Sequence, residues 1–192
     1  MTFNLPALLT FAFVAGITPG PNNIMAAASG VRFGLRATAP QLVGIFVGLA
    51  LLMLAVVVAV GTVGRHLPAV LPVLRLIGTF YLLYLAYRIV VARGPDSAGP
   101  DRPLRWIEAA GFQLVNPKAW MTSMAVVTTF AVGEHAMVPV TVIYSVVNGL
   151  CILAWAASGA VARLTMEERS GGPAVRILLA ALLLASVGFL YL

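Results

Sequence analysis

Thr18-Pro19-Gly20-Pro21-Asn22-Asn23 and Asn116-Pro117-Lys118 interrupt two long apolar runs, one in each half of the chain. Proline removes a helix hydrogen bond, and asparagine and lysine are costly in lipid. Lys118 is also the only lysine in the protein. Breaks at corresponding places in two halves of a membrane chain are the sequence pointer to a transporter's substrate site.

The rest of the sequence supports the membrane premise. Of 192 residues, 61% are hydrophobic and 9% charged, against about 25% charged in a soluble domain. Six apolar segments, near 5–30, 40–63, 68–92, 104–132, 136–162 and 173–192, each meet the roughly 20 residues a spanning helix needs. The expected fold is all-α and integral to the membrane, a single transmembrane domain over residues 1–192. The stretch 93–103 is rich in Gly, Pro and charge, so it reads as a loop joining pseudo-repeats of about 1–96 and 97–192. Prolines recur at offsets of 98, 99 and 101, in the pairs Pro19/Pro117, Pro40/Pro139 and Pro72/Pro173, the last extending to Pro-x-x-Arg in both copies. A three-helix unit repeated once must invert, so the expectation is two inverted repeats with helices 1 and 4 discontinuous. Chance alignment among twelve prolines is the alternative.

Charge placement orients the chain. Arg32, Arg36, Arg88, Arg93, Arg102, Arg105, Arg163, Arg169 and Arg176 fall on one side, and Arg65 and Arg75 on the other. The positive-inside rule makes the arginine-rich side cytoplasmic and both termini extracytoplasmic. The same scatter explains the formal charge of +6 as topology and lipid contact, without nucleic acid. Leu5 to Ile17 has no basic flank before Arg32, so it reads as a retained helix rather than a signal peptide. Cys151 is the single cysteine; with His66 and His135 it makes no metal-ligand spacing, and it reads as a small packing residue.

Each break has the form of a helix start, with Thr18 and Asn116 as N-caps followed by Pro at the first helical position. Both lie about 12–13 residues into their segments, roughly 18–20 Å deep in a core of about 30 Å. Each second half-helix therefore presents its positive end inside the membrane. Lys118, one turn inside such an end, is electrostatically misplaced unless an anion sits there, and Glu108 is too far along the segment to serve. A substrate carboxylate is the natural anion, held by Lys118 and by backbone N–H groups freed at the two breaks. Asn22, Asn23 and Asn116 offer amide oxygens to its ammonium. Proline kinks also serve packing alone, but two matched breaks, one carrying the sole lysine, favour the site.

Gln41, Gln113 and Asn148 are further candidates for a cavity wall; for Gln41 and Asn148, hydrogen bonding between helices is the commoner role. Gly44 and Gly48 suit close internal packing rather than a dimer face, and a homo-oligomer stays open. An intramembrane protease would need a Ser/His pair or two aspartates at depth, and a redox carrier cysteines at the breaks; neither is present, so the chain is not expected to be an enzyme.

The two motifs resemble those of the LysE/RhtB family of amino-acid exporters. The family's T-P-G-P-N corresponds to Thr18 to Asn22, and its N-P-K-A to Asn116-Pro117-Lys118-Ala119. A Gly-x-x-x-Gly loop corresponds to Gly30-Val31-Arg32-Phe33-Gly34, followed by Pro40 opening segment two. A Gly/Tyr/Leu third segment corresponds to Gly78-Thr79-Phe80-Tyr81-Leu82-Leu83-Tyr84-Leu85. The likeness covers essentially the whole chain. It implies a bacterial inner-membrane secondary exporter of amino acids, driven by the proton gradient, with no cofactor. The binding residues would be Thr18, Pro19, Gly20, Pro21, Asn22, Asn23, Asn116, Pro117 and Lys118, with Gln41, Gln113 and Asn148 nearby. With no acidic residue deep in a segment, neutral amino acids such as threonine, homoserine or leucine are favoured over basic ones. The two three-helix halves would rock around the site. A passive channel or a small-cation exporter of similar layout is the alternative.

Overall fold

Two closely spaced prolines divide the first apolar run. Asn4 starts helix α1 (Leu5–Ile17) by accepting a hydrogen bond from the Ala7 N–H at 3.1 Å. At its end the Thr18 hydroxyl turns back to the Val14 carbonyl at 2.5 Å. A residue before proline is steered to extended backbone. Both Thr18 (ψ 130°) and Gly20 (φ −166°, ψ 176°) adopt it, and helix α2 (Pro21–Phe33) starts only at the second proline. This corrects one expectation: Thr18 is the C-cap of α1, and Gly20, with Pro21 after it, is the N-cap of α2. Gly34, at φ 80°, takes the left-handed turn that favours glycine and releases the chain into helix α3 (Leu35–Val63). Pro40 therefore lies inside α3 rather than opening it. It forgoes one bond among exposed residues near the helix start.

The structure is a computed structural model describing residues 3–63, 102–131, 136–167 and 172–188, with Pro72, Val73, Leu76, Thr79, Phe80, Leu83, Tyr84, Ala86 and Tyr87 in addition. The loop at 93–101, the His66 and His135 stretches, Arg75, and most of the third segment lie outside the described residues. So does the Gly78 to Leu85 motif, apart from Thr79, Phe80, Leu83 and Tyr84. The second break matches its expectation. Helix α4 (Trp106–Phe112) tightens into a 3-10 turn (Gln113–Val115), and Asn116 then caps helix α5 (Pro117–Phe130). Helices α6 (Met137–Glu167) and α7 (Gly172–Gly188) follow. Among the described residues there is no strand; the fold is all-helical.

Among the described residues, α3 and α6 alone are long and apolar enough to cross a bilayer unaided, over Leu35–Ala59 and Met137–Leu164. The broken runs fail that test because their longest pieces are 13 or 14 residues, about 20 Å of helix. α3 and α6 pack against each other, α1 and α2 lean on α6, and α4 lies along α3. Glycines permit the closest approaches. A Cβ on Gly30 would overlap the Ala156 carbonyl, one on Gly159 the Ala27 carbonyl, and one on Gly44 the Trp106 carbonyl; one on Gly48 would lie 2.6 Å from Ala110. Small residues that let backbones meet are how helices associate in lipid, where apolar side chains gain little from avoiding the solvent. Leu8, Leu49, Leu52, Met53, Val126, Val140 and Tyr144 fill the centre. Phe13, Leu51, Val58, Val142 and Leu150 face outward, a surface that suits hydrocarbon.

At the arginine-rich end, Arg163 on α6 reaches the Arg32 carbonyl at the end of α2 at 3.5 Å. Arg102 pairs with Glu108 through two hydrogen bonds of 2.7 and 2.9 Å, and Glu108 also caps the Arg105 N–H at 2.8 Å. The hydrogen bonds it donates to Glu108 raise the Arg102 guanidinium above its ordinary pKa, against a smaller desolvation effect. Glu108 is thus committed to starting α4.

Candidate functional site

The two breaks meet, and the meeting is built from amides. Asn22 at the start of α2 and Gln113 before the second break exchange reciprocal hydrogen bonds of 2.9 and 3.0 Å across 91 residues of sequence. Gln113 also donates to the Ala109 carbonyl at 3.0 Å, and its side chain is fully buried. Asn23 donates to the Gly16 and Thr18 carbonyls at 2.7 and 2.9 Å, satisfying acceptors that the end of α1 leaves open. Asn116 accepts from the Ala119 N–H at 3.4 Å. Indoles do similar work: Trp155 donates to the Ile17 carbonyl at 3.1 Å and Trp120 to the Leu114 carbonyl at 2.9 Å.

The amide pair makes a direct prediction. Truncating one partner, as in Gln113→Leu, leaves the buried Asn22 amide unsatisfied, costing about 1–3 kcal/mol. The double variant Asn22→Leu/Gln113→Leu is expected to recover part of that loss, a coupling readable by thermal melting of the four-member cycle. Additive losses would show that the pair is not coupled.

Lys118 lies over Gly20. Its ammonium donates to the Thr18 carbonyl at 2.5 Å, and a Cβ on Gly20 would stand 2.7 Å from the lysine Cδ. Gly20 thus leaves the space that the end of the lysine side chain occupies, and its φ is ordinary extended backbone. The ammonium of α5 rests on the negative end of α1, which offsets part of its burial. An ammonium has three donors, so this contact leaves two. No side chain caps α2, so its first-turn N–H groups are directed at the break beside Lys118.

A cleft of about 300 Å³, including the part open to the outside, runs along this junction. It gathers seven of the sequence-predicted residues: Gly20, Pro21, Asn22, Asn23, Asn116, Lys118 and Asn148. The other five lie off its wall. Thr18 contributes its carbonyl to Lys118, Pro19 lies in the connection, Pro117 opens α5, and Gln113 backs Asn22. Gln41 is buried on α3 away from the cleft. The expected helix-to-helix hydrogen bonds of Gln41 and Asn148 are not formed among the described residues.

The structure adds wall residues that the sequence reading did not single out: Ala15, Leu49, Ala119, Thr122 and Tyr144. The Tyr144 hydroxyl donates to Thr122 at 2.7 Å, and Thr122 to the Lys118 carbonyl at 2.8 Å. Thr122 and Tyr144 each stand four residues from a predicted site residue, Lys118 and Asn148, one turn along the same helix face. That spacing was the signal available. Among the described residues no cluster of His, Cys, Asp and Glu could hold a metal ion. The wall contains no carboxylate. Chemically, it offers cation and N–H donors for an anion on one side and amide oxygens on the other.

A family model described as LysE type translocator matches residues 13–192. The cysteine/O-acetylserine efflux protein of Salmonella typhimurium is 26% identical over 159 residues, covering 81% of this chain and 82% of that one. Its counterpart from Klebsiella pneumoniae is 28% identical over 159 residues, covering 81% of each. The protein of the same description from Escherichia coli O6:K15:H31 is 26% identical over an equal length. No solved structure matches the chain.

Proposed function

The chain belongs to the LysE type translocator family, and from that premise we propose that it exports small neutral amino acids across the bacterial inner membrane. The observation that carries the reading is the meeting of the two helix breaks, with the one lysine ammonium at their junction. The substrate carboxylate binds Lys118 and the uncapped N–H groups of α2. Its ammonium takes the acceptor that remains available at the first break, the Asn23 amide oxygen. Asn22 and Asn116, whose oxygens are engaged, hold the breaks together instead. With no carboxylate on the wall, a basic side chain would lack a counter-charge. The relatives' named solutes, cysteine and O-acetylserine, are short and neutral in that sense.

The chain forms six spans in two inverted repeats, with both termini outside. Access alternates as the α2–α6 pair moves against the α3–α4 pair, because those are the tightest contacts and each joins opposite halves of the sequence. A proton enters for each amino acid that leaves. That exchange moves one net charge for a zwitterion, worth roughly 2.3 kcal/mol per 100 mV.

Counterflow in proteoliposomes against radiolabelled serine, cysteine, O-acetylserine, threonine, homoserine, leucine, lysine and arginine tests the reading. Saturable counterflow of the short neutral members is expected, with lysine and arginine excluded. Flux that neither saturates nor shows counterflow would indicate a channel. Acidifying the side opposite the loaded amino acid should accelerate its exit; an unaltered rate would remove proton coupling.

A further inference from the structure

Four asparagines line the cleft, and three of them are committed. Asn22 is paired with Gln113 through both its amide atoms, Asn116 caps α5, and Asn23 donates to two carbonyls at the end of α1. Asn148 differs. It is 8% exposed, it lines the cleft from α6, and its amide has no hydrogen-bond partner among the described residues. Its position is fixed from behind. A Cβ on Gly16 would lie 3.3 Å from the Asn148 Cα, so α1 presses directly on the α6 backbone there. One turn away, the Tyr144 hydroxyl is already spent on Thr122. The amide opens onto the cleft, so its donor and acceptor are both free to meet a solute. In a binding cleft the missing partner is supplied by the ligand.

We propose that Asn148 is the specificity-determining residue of the cleft. It hydrogen-bonds a polar atom in the substrate's short neutral side chain (a hydroxyl, a thiol or an ester carbonyl). The inference rests on the amino-acid reading above and adds which part of the solute is read. Carboxylate capture belongs to Lys118 and the start of α2, and the neighbouring wall residues Ala15 and Leu49 offer no polar side-chain atom. An amide can donate and accept, so it takes any of the three groups but no apolar isostere. A site that hydrogen-bonds a substrate group rejects the analogue lacking it far more strongly than an apolar wall discriminates by size.

The test is counterflow by the full-length protein in proteoliposomes, using matched pairs that differ in one group: serine against alanine, and threonine against valine. The wild-type protein is expected to favour the hydroxylated member of each pair by at least tenfold. Asn148→Leu should erase that ratio, leaving alanine within about threefold of its wild-type rate. Asn148→Ser, smaller and still polar, should retain a preference and serves if the leucine variant does not fold. Asn148→Asp should admit lysine. If Asn148→Leu lowers serine and alanine equally, the amide binds the shared ammonium or only supports the fold, and the inference is overturned. An unchanged ratio in both variants overturns it as well. Absence of counterflow with every amino acid in the wild-type protein is a different result, which removes the amino-acid reading itself.

Discussion

Replacing Lys118 by methionine is expected to abolish counterflow while the protein still inserts and elutes as a folded species. The ammonium sits at the one place where three features converge. They are the negative end of α1, the uncapped positive end of α2, and the space that Gly20 leaves open. Methionine keeps the stem's volume and removes the charge. A hydrogen bond to a charged group is worth about 1.5–3 kcal/mol, so losing it and the associated charge attraction should weaken carboxylate binding by roughly 100-fold or more. Lys118→Gln separates two roles. Its amide N–H can still donate to the Thr18 carbonyl, so thermal stability should stay nearer the wild type than in the methionine variant, while counterflow falls as far. Wild-type counterflow in Lys118→Met would exclude the lysine from substrate capture. An equal, large loss of melting temperature in both variants would show that the charge serves the fold.

Much of this site was legible before any coordinates. The Asn-Pro-Lys break reads locally, because cap, first-turn proline and charge are adjacent in sequence and Asn116 caps α5 as its residue type dictates. The first break was read two residues early. Pro19 and Pro21 are both acceptable first helical residues, and the choice between them is made by tertiary structure. Thr18 folds back on Val14, its carbonyl receives the lysine, and Gly20 leaves open the space that the lysine stem fills. Pro40 misled for a related reason: a proline near a helix start can sit inside as easily as open it. The Asn22–Gln113 pair was not legible at all, since nothing in sequence says which buried amides face each other across 91 positions. From sequence Asn148 is a cavity-wall candidate for which hydrogen bonding between helices is the commoner role, and the structure places it on the wall without a partner among the described residues. The absence of a partner is a property of the packed neighbourhood alone. Of the six apolar segments expected from hydropathy, α3 and α6 are, among the described residues, the two single helices long and apolar enough to span; the breaks shorten the pieces of the first and fourth.

Gly159→Leu is expected to yield no monodisperse protein in detergent, a larger effect on the fold than any change at the cleft. The α2–α6 contact is reciprocal: Gly159 accommodates the Ala27 carbonyl and Gly30 accommodates the Ala156 carbonyl, so a side chain at either position must push backbone rather than a rotatable group. Overpacking typically costs about 1–3 kcal/mol. Gly159→Ala should therefore lower the melting temperature by several degrees, at about 2–4 °C per kcal/mol for a chain of this size. Gly111→Ala is the control, since a Cβ there meets nothing within 4 Å, and alanine is the better helix former by about 1 kcal/mol. If Gly159→Leu melted like the wild type, the two helices could not be in backbone contact. The same seam carries a consequence for transport. α2 belongs to the first half of the sequence and α6 to the second, while α4 of the second half lies along α3 of the first. Rocking the two sequence halves apart would open both glycine seams at once and give up the close backbone packing that they provide. Motion between the α2–α6 pair and the α3–α4 pair leaves both seams closed.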